Sequence, residues 1–351
     1  MKTLNFSSLL PSFILLLSSI SLTFAAPPPT PTCKQLTPRR EWRTLSKEQK
    51  TEWISSIKCL GSIRHHRLSY TAQGTFLKGS PSLYDDFAYA HSAMDKSAHF
   101  NPYFLPWHRW FIYIFDLRLR ETCGYKGPTP YWDWTQDAAD LKAAPVFDPS
   151  PTAGLGETGS CSPEEDCVIT SGALLPPDFV LLFPIPHQLR RNLSYNTWAD
   201  LGGGLHNTSL SLENIEKNVK GNVGDFFKFQ RVMTRIHSHI HNFVGGDLAG
   251  ECPAPIQEDE CDSLGGYTPN DPIFWLHHGQ LDRLWSEWQK ASPKNYNNFA
   301  GVPLGAKNLT NSSYWPNATV DHILEFDRVA AGVPVSMTFN HEQPPFCYTY
   351  E

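Results

Sequence analysis

The strongest constraint on this chain is where its histidines stand. His91, His108, His237, His241, His277 and His278 fall inside segments with the apolar patterning of helices, and His99 lies just outside one of them. A buried imidazole needs partners for its ring nitrogens, because an unpaired polar atom in an apolar interior costs free energy. Such a chain folds only if these histidines meet a hydrogen-bonding group, or one another around a metal.

The spacing predicts helices over 46–58, 82–98, 105–122, 211–218, 223–243 and 272–290. Ser46 offers an N-cap to the first, whose apolar stripe is Trp53, Ile54 and Ile57. The third carries Trp110, Phe111, Ile114, Phe115 and Leu119, and the Gly- and Pro-rich run 124–130 ends it. Asn270 or Asp271 caps the last, with Pro272 in its first turn. Between them, 135–210 is crowded with Pro, Gly and Ser and reads as a long loop. Strand alternation is scarce, so the fold expected is mainly α, a helical core wrapped by loops.

Within 223–243, His237 and His241 are four apart and share one helix face, while His239 points elsewhere. Position 238 is Ser, so the glutamate that a zinc protease places beside its first histidine is missing. Adjacent helical residues point about 100° apart, so one of His277 and His278 is expected to join His237 and His241. His91, His99 and His108 form a second triplet, the last among Tyr103, Phe104, Trp107, Trp110 and Phe111. The bland alternative for any single histidine is a hydrogen-bonded core residue. Two triplets without cysteine or carboxylate in register favour a metal, and all-imidazole sites suit copper or zinc.

The leader constrains the compartment. Lys2, the apolar and Ser-rich run Leu9–Phe24, and small residues at 23 and 25 predict a secretory signal over 1–25, removed after Ala25. Pro11 and the serines argue against a retained anchor, and no later stretch reaches the roughly 18 apolar residues a span needs. Residues 26–351 are then one domain, exported and extracellular. Its eight cysteines are expected in disulfides, with Cys161/Cys167 and Cys252/Cys261 as local staples. The partners of Cys33, Cys59, Cys123 and Cys347 stay open. Sequons at Asn192, Asn207, Asn308, Asn311 and Asn317 predict glycosylated, exposed loops. A net charge of -6 without a basic run gives nucleic acid nothing to bind. A monomer is expected.

Four segments together carry a resemblance. Tyr84-Asp85-Asp86-Phe87 precedes His91, Asn101 to Arg109 surrounds His108, Pro130-Tyr131-Trp132-Asp133-Trp134 follows, and Asp271-Pro272 leads through His278 to Trp285. Over roughly 80–135 and 225–290 the chain resembles the tyrosinase and catechol oxidase family, the type-3 copper proteins, and most of all their short secreted fungal members. The resemblance implies a four-helix bundle around two copper ions. It assigns His91, His99 and His108 to copper A, and His237, His241 and His278 to copper B. It implies oxidation of small phenols with O2 as the partner, o-diphenols leaving as o-quinones. The runners-up are a full tyrosinase hydroxylating monophenols, an o-aminophenol oxidase, and an oxygen carrier of the haemocyanin kind.

Departures from the family pattern narrow that expectation. Ser97 stands where several members place a cysteine cross-linked to the second copper A histidine, so that bond is absent and a more mobile His99 is expected. The ten residues before His237 contain no carboxylate, where many monophenol-hydroxylating members place a glutamate. Gln230, Ser238 and Asn242 remain as polar candidates near copper B, and an amide is a poor base. Asp282, one turn beyond His278, is a candidate acceptor for a ligand imidazole, against the bland reading of a surface carboxylate. Arg109 and Arg283 are expected in structural ion pairs. The chain stops at Glu351, so no long extension covering the site, as in latent members, is expected.

Overall fold

Two serines set the first helices of the bundle. In the computed structural model, Ser46 accepts from the Gln49 amide while the Gln49 side chain accepts from Ser46 N, and α1 runs Lys47–Ser62. Ser82 and Asp85 make the same reciprocal box, and α2 runs Leu83–Ala98. α3, Phe104–Cys123, ends on Gly124, whose φ of 71° only glycine adopts without strain. The structure describes residues 32–64, 82–195, 209–254, 266–302 and 317–351. The chain separates into Met1–Thr32 and Cys33–Glu351, and the fold below is that of the second unit.

α4 (Leu212–Gly221) and α5 (Phe226–Val244) follow the long loop, and Asp225 caps α5 by accepting from Lys228 N. α6 spans Ile273–Ala291. Its cap comes from Asp271, whose carboxylate accepts from Ile273 N at 2.9 Å and is gripped by Arg191 at 2.6 and 2.8 Å. The helices therefore start within three residues of their predicted positions, with several running longer at the C-terminal end.

α3 packs most extensively on α6. Phe115 stacks on Trp275 with centroids 3.7 Å apart, and Phe87 of α2 meets both rings edge-on. Large aromatic area removed from water is the main glue of this layer. α1 lies outside α2 and α3, tied to the end of α3 by Cys59–Cys123. The core is a helical bundle with little sheet: β1 (Thr37–Arg39) pairs parallel with β4 (Tyr348–Tyr350), and β2 (Ile323–Leu324) antiparallel with β3 (Val333–Pro334). Cys33–Cys347 fastens the first pair.

The loop after α3 holds short 3-10 turns at Trp134–Asp137, Leu141–Ala143 and Pro145–Phe147. Two buried arginines satisfy backbone carbonyls of this loop and of the segment after α5. Arg191 donates to the Leu155 and Gly156 carbonyls, and Arg190 to those of Asp166, Glu251 and Cys252. Cys161–Cys167 forms as expected. Cys252 is disulfide-bonded too, while its expected partner Cys261 lies outside the described residues. Of the sequons, Asn317 is exposed, but Asn192 is half-buried: its amide donates to Val244 and its side chain packs at Gly245. Asn207, Asn308 and Asn311 lie outside the described residues. No described helix is long and apolar enough to cross a membrane.

Candidate metal centre

α2 and α3 bring His91 and His108 together, their Nε2 atoms 3.3 Å apart. His99, the residue that closes α2, completes the set, its ring 4.8 Å from His91 and 4.9 Å from His108. On the other side, α5 supplies His237 and His241 with centroids 4.1 Å apart, and α6 supplies His277 and His278. His108 and His278 stack face to face at 4.1 Å, so the two sets adjoin. Within each set the ligand atoms lie within 4.8 Å of one another, and every member is buried.

Main-chain carbonyls fix the tautomers. The Nδ1 of His108 donates to Phe104 O at 2.8 Å, that of His241 to Leu248 O at 2.6 Å, and that of His91 to Gly266 O. His99 Nδ1 meets Asp95 through both the carbonyl, 3.0 Å, and the carboxylate, 2.9 Å. Asp95 thus restrains the ring that Ser97 cannot cross-link. A proton held on Nδ1 leaves the Nε2 lone pair free for a metal. Burial, then neighbouring imidazoles, pushes His91, His108, His237 and His278 well below their ordinary pKa. Burial takes His241 down to about 3. These five rings are therefore neutral at neutral pH, the form that ligates.

The donor set fits copper. In the second set, His241 Nε2 and both ring nitrogens of His237, His277 and His278 have no hydrogen-bond partner among the described residues. Each such atom costs about 1–3 kcal/mol when left unpaired. One nitrogen of each ring lies within 4.8 Å of its fellows in the set, near enough for a copper ion to take one lone pair from each. Phe104 and Phe274 wall the sets. Phe104 lies 4.9 Å from His108 and 4.8 Å from His237, and Phe274 lies 5.0 Å from His91 and 4.2 Å from His278.

Three expectations need correction. Asp282 does not take an imidazole proton: its carboxylate is held by Arg109, Tyr348 and Tyr350. It is a buried hub of α3, α6 and the C-terminal strand, and Arg109 makes with it the structural ion pair expected of that arginine, whose partner the sequence leaves open. Gln230 and Ser238 are engaged along α5. Gln230 donates to Thr234 Oγ1 at 2.7 Å and Ser238 to the Thr234 carbonyl at 3.1 Å. His277 also enters the second set instead of turning away, because an imidazole is long enough to converge from an adjacent position. It leans on the His237 main chain, short of hydrogen-bond geometry. Asn242 is half-buried one residue beyond His241, and Arg283 pairs with Glu287 at 2.8 Å.

Residues 81–291 match the family described as the common central domain of tyrosinase. The chain belongs to the tyrosinase family. It is 31% identical over 346 residues to tyrosinase ustQ of Aspergillus flavus, covering 97% of this chain and 85% of that protein. It is 30% identical over 326 residues to the tyrosinase-like protein phomQ2 of Diaporthe leptostromiformis, covering 92% and 74%. A single-substitution mutant of a polyphenol oxidase from Thermothelomyces thermophila shares the fold. It superposes with a TM-score of 0.62 over 90% of this chain and 89% of that one, at 23% identity. The chain is accordingly a tyrosinase-family oxidoreductase. Sequence reasoning missed the carbonyls of Leu248 and Gly266 that orient His241 and His91, because any residue at those positions offers one.

Proposed function

We propose that the chain is a secreted dicopper o-diphenol oxidase, converting catechols to o-quinones while O2 is reduced to water. His91, His99 and His108 hold one copper, and His237, His241 and His278 the other. The observation that carries this reading is the pair of adjoining, buried all-imidazole sets, each with its ligand atoms within 4.8 Å of one another and the second with unpaired ring nitrogens. Bound copper supplies the electron transfer between catechol and dioxygen. The chain's own residues supply the frame: carbonyls of Phe104, Leu248 and Gly266 hold Nδ1 protons, and Phe104 and Phe274 keep water from the rings. Each catechol gives up two protons and two electrons, and two catechols balance one dioxygen.

Diphenols are favoured because no carboxylate lies in the ten residues before His237, and Gln230 and Ser238 are occupied by Thr234. A monophenol must lose a proton of ordinary pKa about 10 before it reacts, and a positioned base is worth ~10²–10⁴-fold. In the same reading, residues 1–25 are a signal removed on export, and the mature chain works as a monomer.

Metal analysis with oxygen uptake tests the assignment. The expected result is about two copper ions per chain and oxygen consumption with catechol. Zinc in place of copper, or fewer than about two coppers, overturns it. Reversible oxygenation without uptake would transfer the reading to an oxygen carrier.

A further inference from the structure

Phe100 breaks two rules at once. Its side chain is 72% exposed, the highest among the exposed large hydrophobic residues described. Its φ is +54°, a left-handed conformation that bulky L-residues rarely adopt. Glycine or asparagine would sit there without the penalty. The chain therefore accepts backbone strain to hold an aromatic ring in solvent, gaining no burial in return.

The conformation is enforced from beneath. Asn101, 3% exposed, donates to the carbonyls of Ser97 and His99, each at 2.9 Å, and accepts from Tyr103 N at 2.8 Å. One buried amide thus joins the end of α2 to the start of α3 and fixes the turn that presents Phe100. The ring it presents lies 6.4 Å from the His99 ring, tilted by 52°. His99 in turn touches His91 and His108. Phe100 is therefore a solvent-facing aromatic one ring beyond a member of the first histidine set. Strain held in place by its surroundings is characteristic of functional positions.

We propose that Phe100 is a specificity-determining residue that receives an apolar or aromatic substituent carried on the phenol, selecting substituted phenols over catechol itself. This rests on the oxidase reading above. An aromatic face offers stacking and apolar contact to a second group without hydrogen-bond selectivity.

The test compares kcat/KM for 4-benzylcatechol and catechol. Phe100→Ala is expected to lower the ratio of the two about tenfold, mainly through KM for the substituted substrate, as loss of one aromatic contact implies. Phe100→Tyr is expected to keep the ratio. Phe100→Gly is expected to lower it equally and to raise the thermal midpoint, since glycine relieves the left-handed strain. An unchanged ratio in Phe100→Ala overturns the proposal. So does a lowered midpoint in Phe100→Gly, which would make the ring a structural support. Calorimetry with 4-phenylbenzoate against benzoate reads the same discrimination without turnover. A chain that oxidises neither catechol therefore disposes of the oxidase reading while the binding ratio still decides the role of Phe100.

Discussion

His277 and His278 are neighbours in sequence with different neighbours in space. His278 stacks on His108 of the opposite set, whereas the ring contacts of His277 run to His237, His241 and His278. A centre shared by two sets needs its ligands on the face where they adjoin, and His278 stands there. His278→Ala is expected to lose copper and turnover together. His277→Ala is expected to retain copper and to lose on the order of 2 kcal/mol of stability through the cavity it leaves in α6. Copper content and thermal midpoint of the two variants separate them, and exchanged behaviours would reverse the assignment. A second prediction concerns the proton. With Gln230 and Ser238 tied to Thr234, turnover of 4-tert-butylphenol is expected to fall at least ~10²-fold below that of 4-tert-butylcatechol. Comparable rates would mean that a base reaches the site from elsewhere in the fold. The histidines were legible because imidazoles inside apolar helices demand partners. Asp282 was misread for a related reason: spacing puts it one turn from His278, but not which of several buried groups claims it.

Among the elements, the turn after α5 does more for the site than its length suggests. Gly245 (φ 65°) and Gly246 (φ 51°) let it pass so close to 190–192 that an added Cβ at Gly246 would meet the Arg190 carbonyl at 2.4 Å. Asp247, fully buried, then accepts from Arg190 N at 2.8 Å and from His187 Nε2 at 3.1 Å. The next residue, Leu248, carries the carbonyl that orients His241. Removing the carboxylate takes from Arg190 one of its two anions, Asp166 at 2.9 Å being the other, and leaves the Arg190 amide and the His187 ring without their acceptor. Asp247→Ala is expected to weaken copper binding about 10–100-fold, the usual effect of losing an outer-shell support. A chelator competition measures it, and a folded variant with unaltered affinity would show that the turn holds its shape without Asp247. Helix starts were readable from Ser46 and Asp271, whose side chains announce caps, whereas the Ser82–Asp85 box emerged only in the fold. The paired segments of two or three residues were not, because alternation needs a longer run to register.

At the scale of the whole molecule, the C-terminal segment clasps the bundle through buried polar groups. β4 pairs with β1, Tyr348 and Tyr350 reach Asp282, and Arg39 lies over the Tyr348 ring at 4.1 Å. His341 belongs to the same clasp: one ring nitrogen meets Ser286 Oγ at 2.6 Å and the other the Tyr348 carbonyl at 2.9 Å. Burial, with the nearby Arg109 charge, lowers its pKa from 6.5 to about 4, against the opposing pull of Asp282. The unfolded chain therefore binds a proton at this position that the folded chain refuses between those values. Stability from this group is complete above about pH 6.5, falls as pH drops towards 4, and changes no further below, since both states are then protonated. The span corresponds to at most about 3 kcal/mol. Replacing His341 by Gln, which does not titrate and can still hydrogen-bond, is expected to flatten the dependence of stability on pH between 6.5 and 4 relative to the parent chain. The comparison is made by denaturant unfolding of the metal-free proteins across that range, where the six site histidines contribute equally to both. Parallel slopes in the two proteins would mean that His341 is already protonated in the fold, and that Asp282 outweighs burial and Arg109.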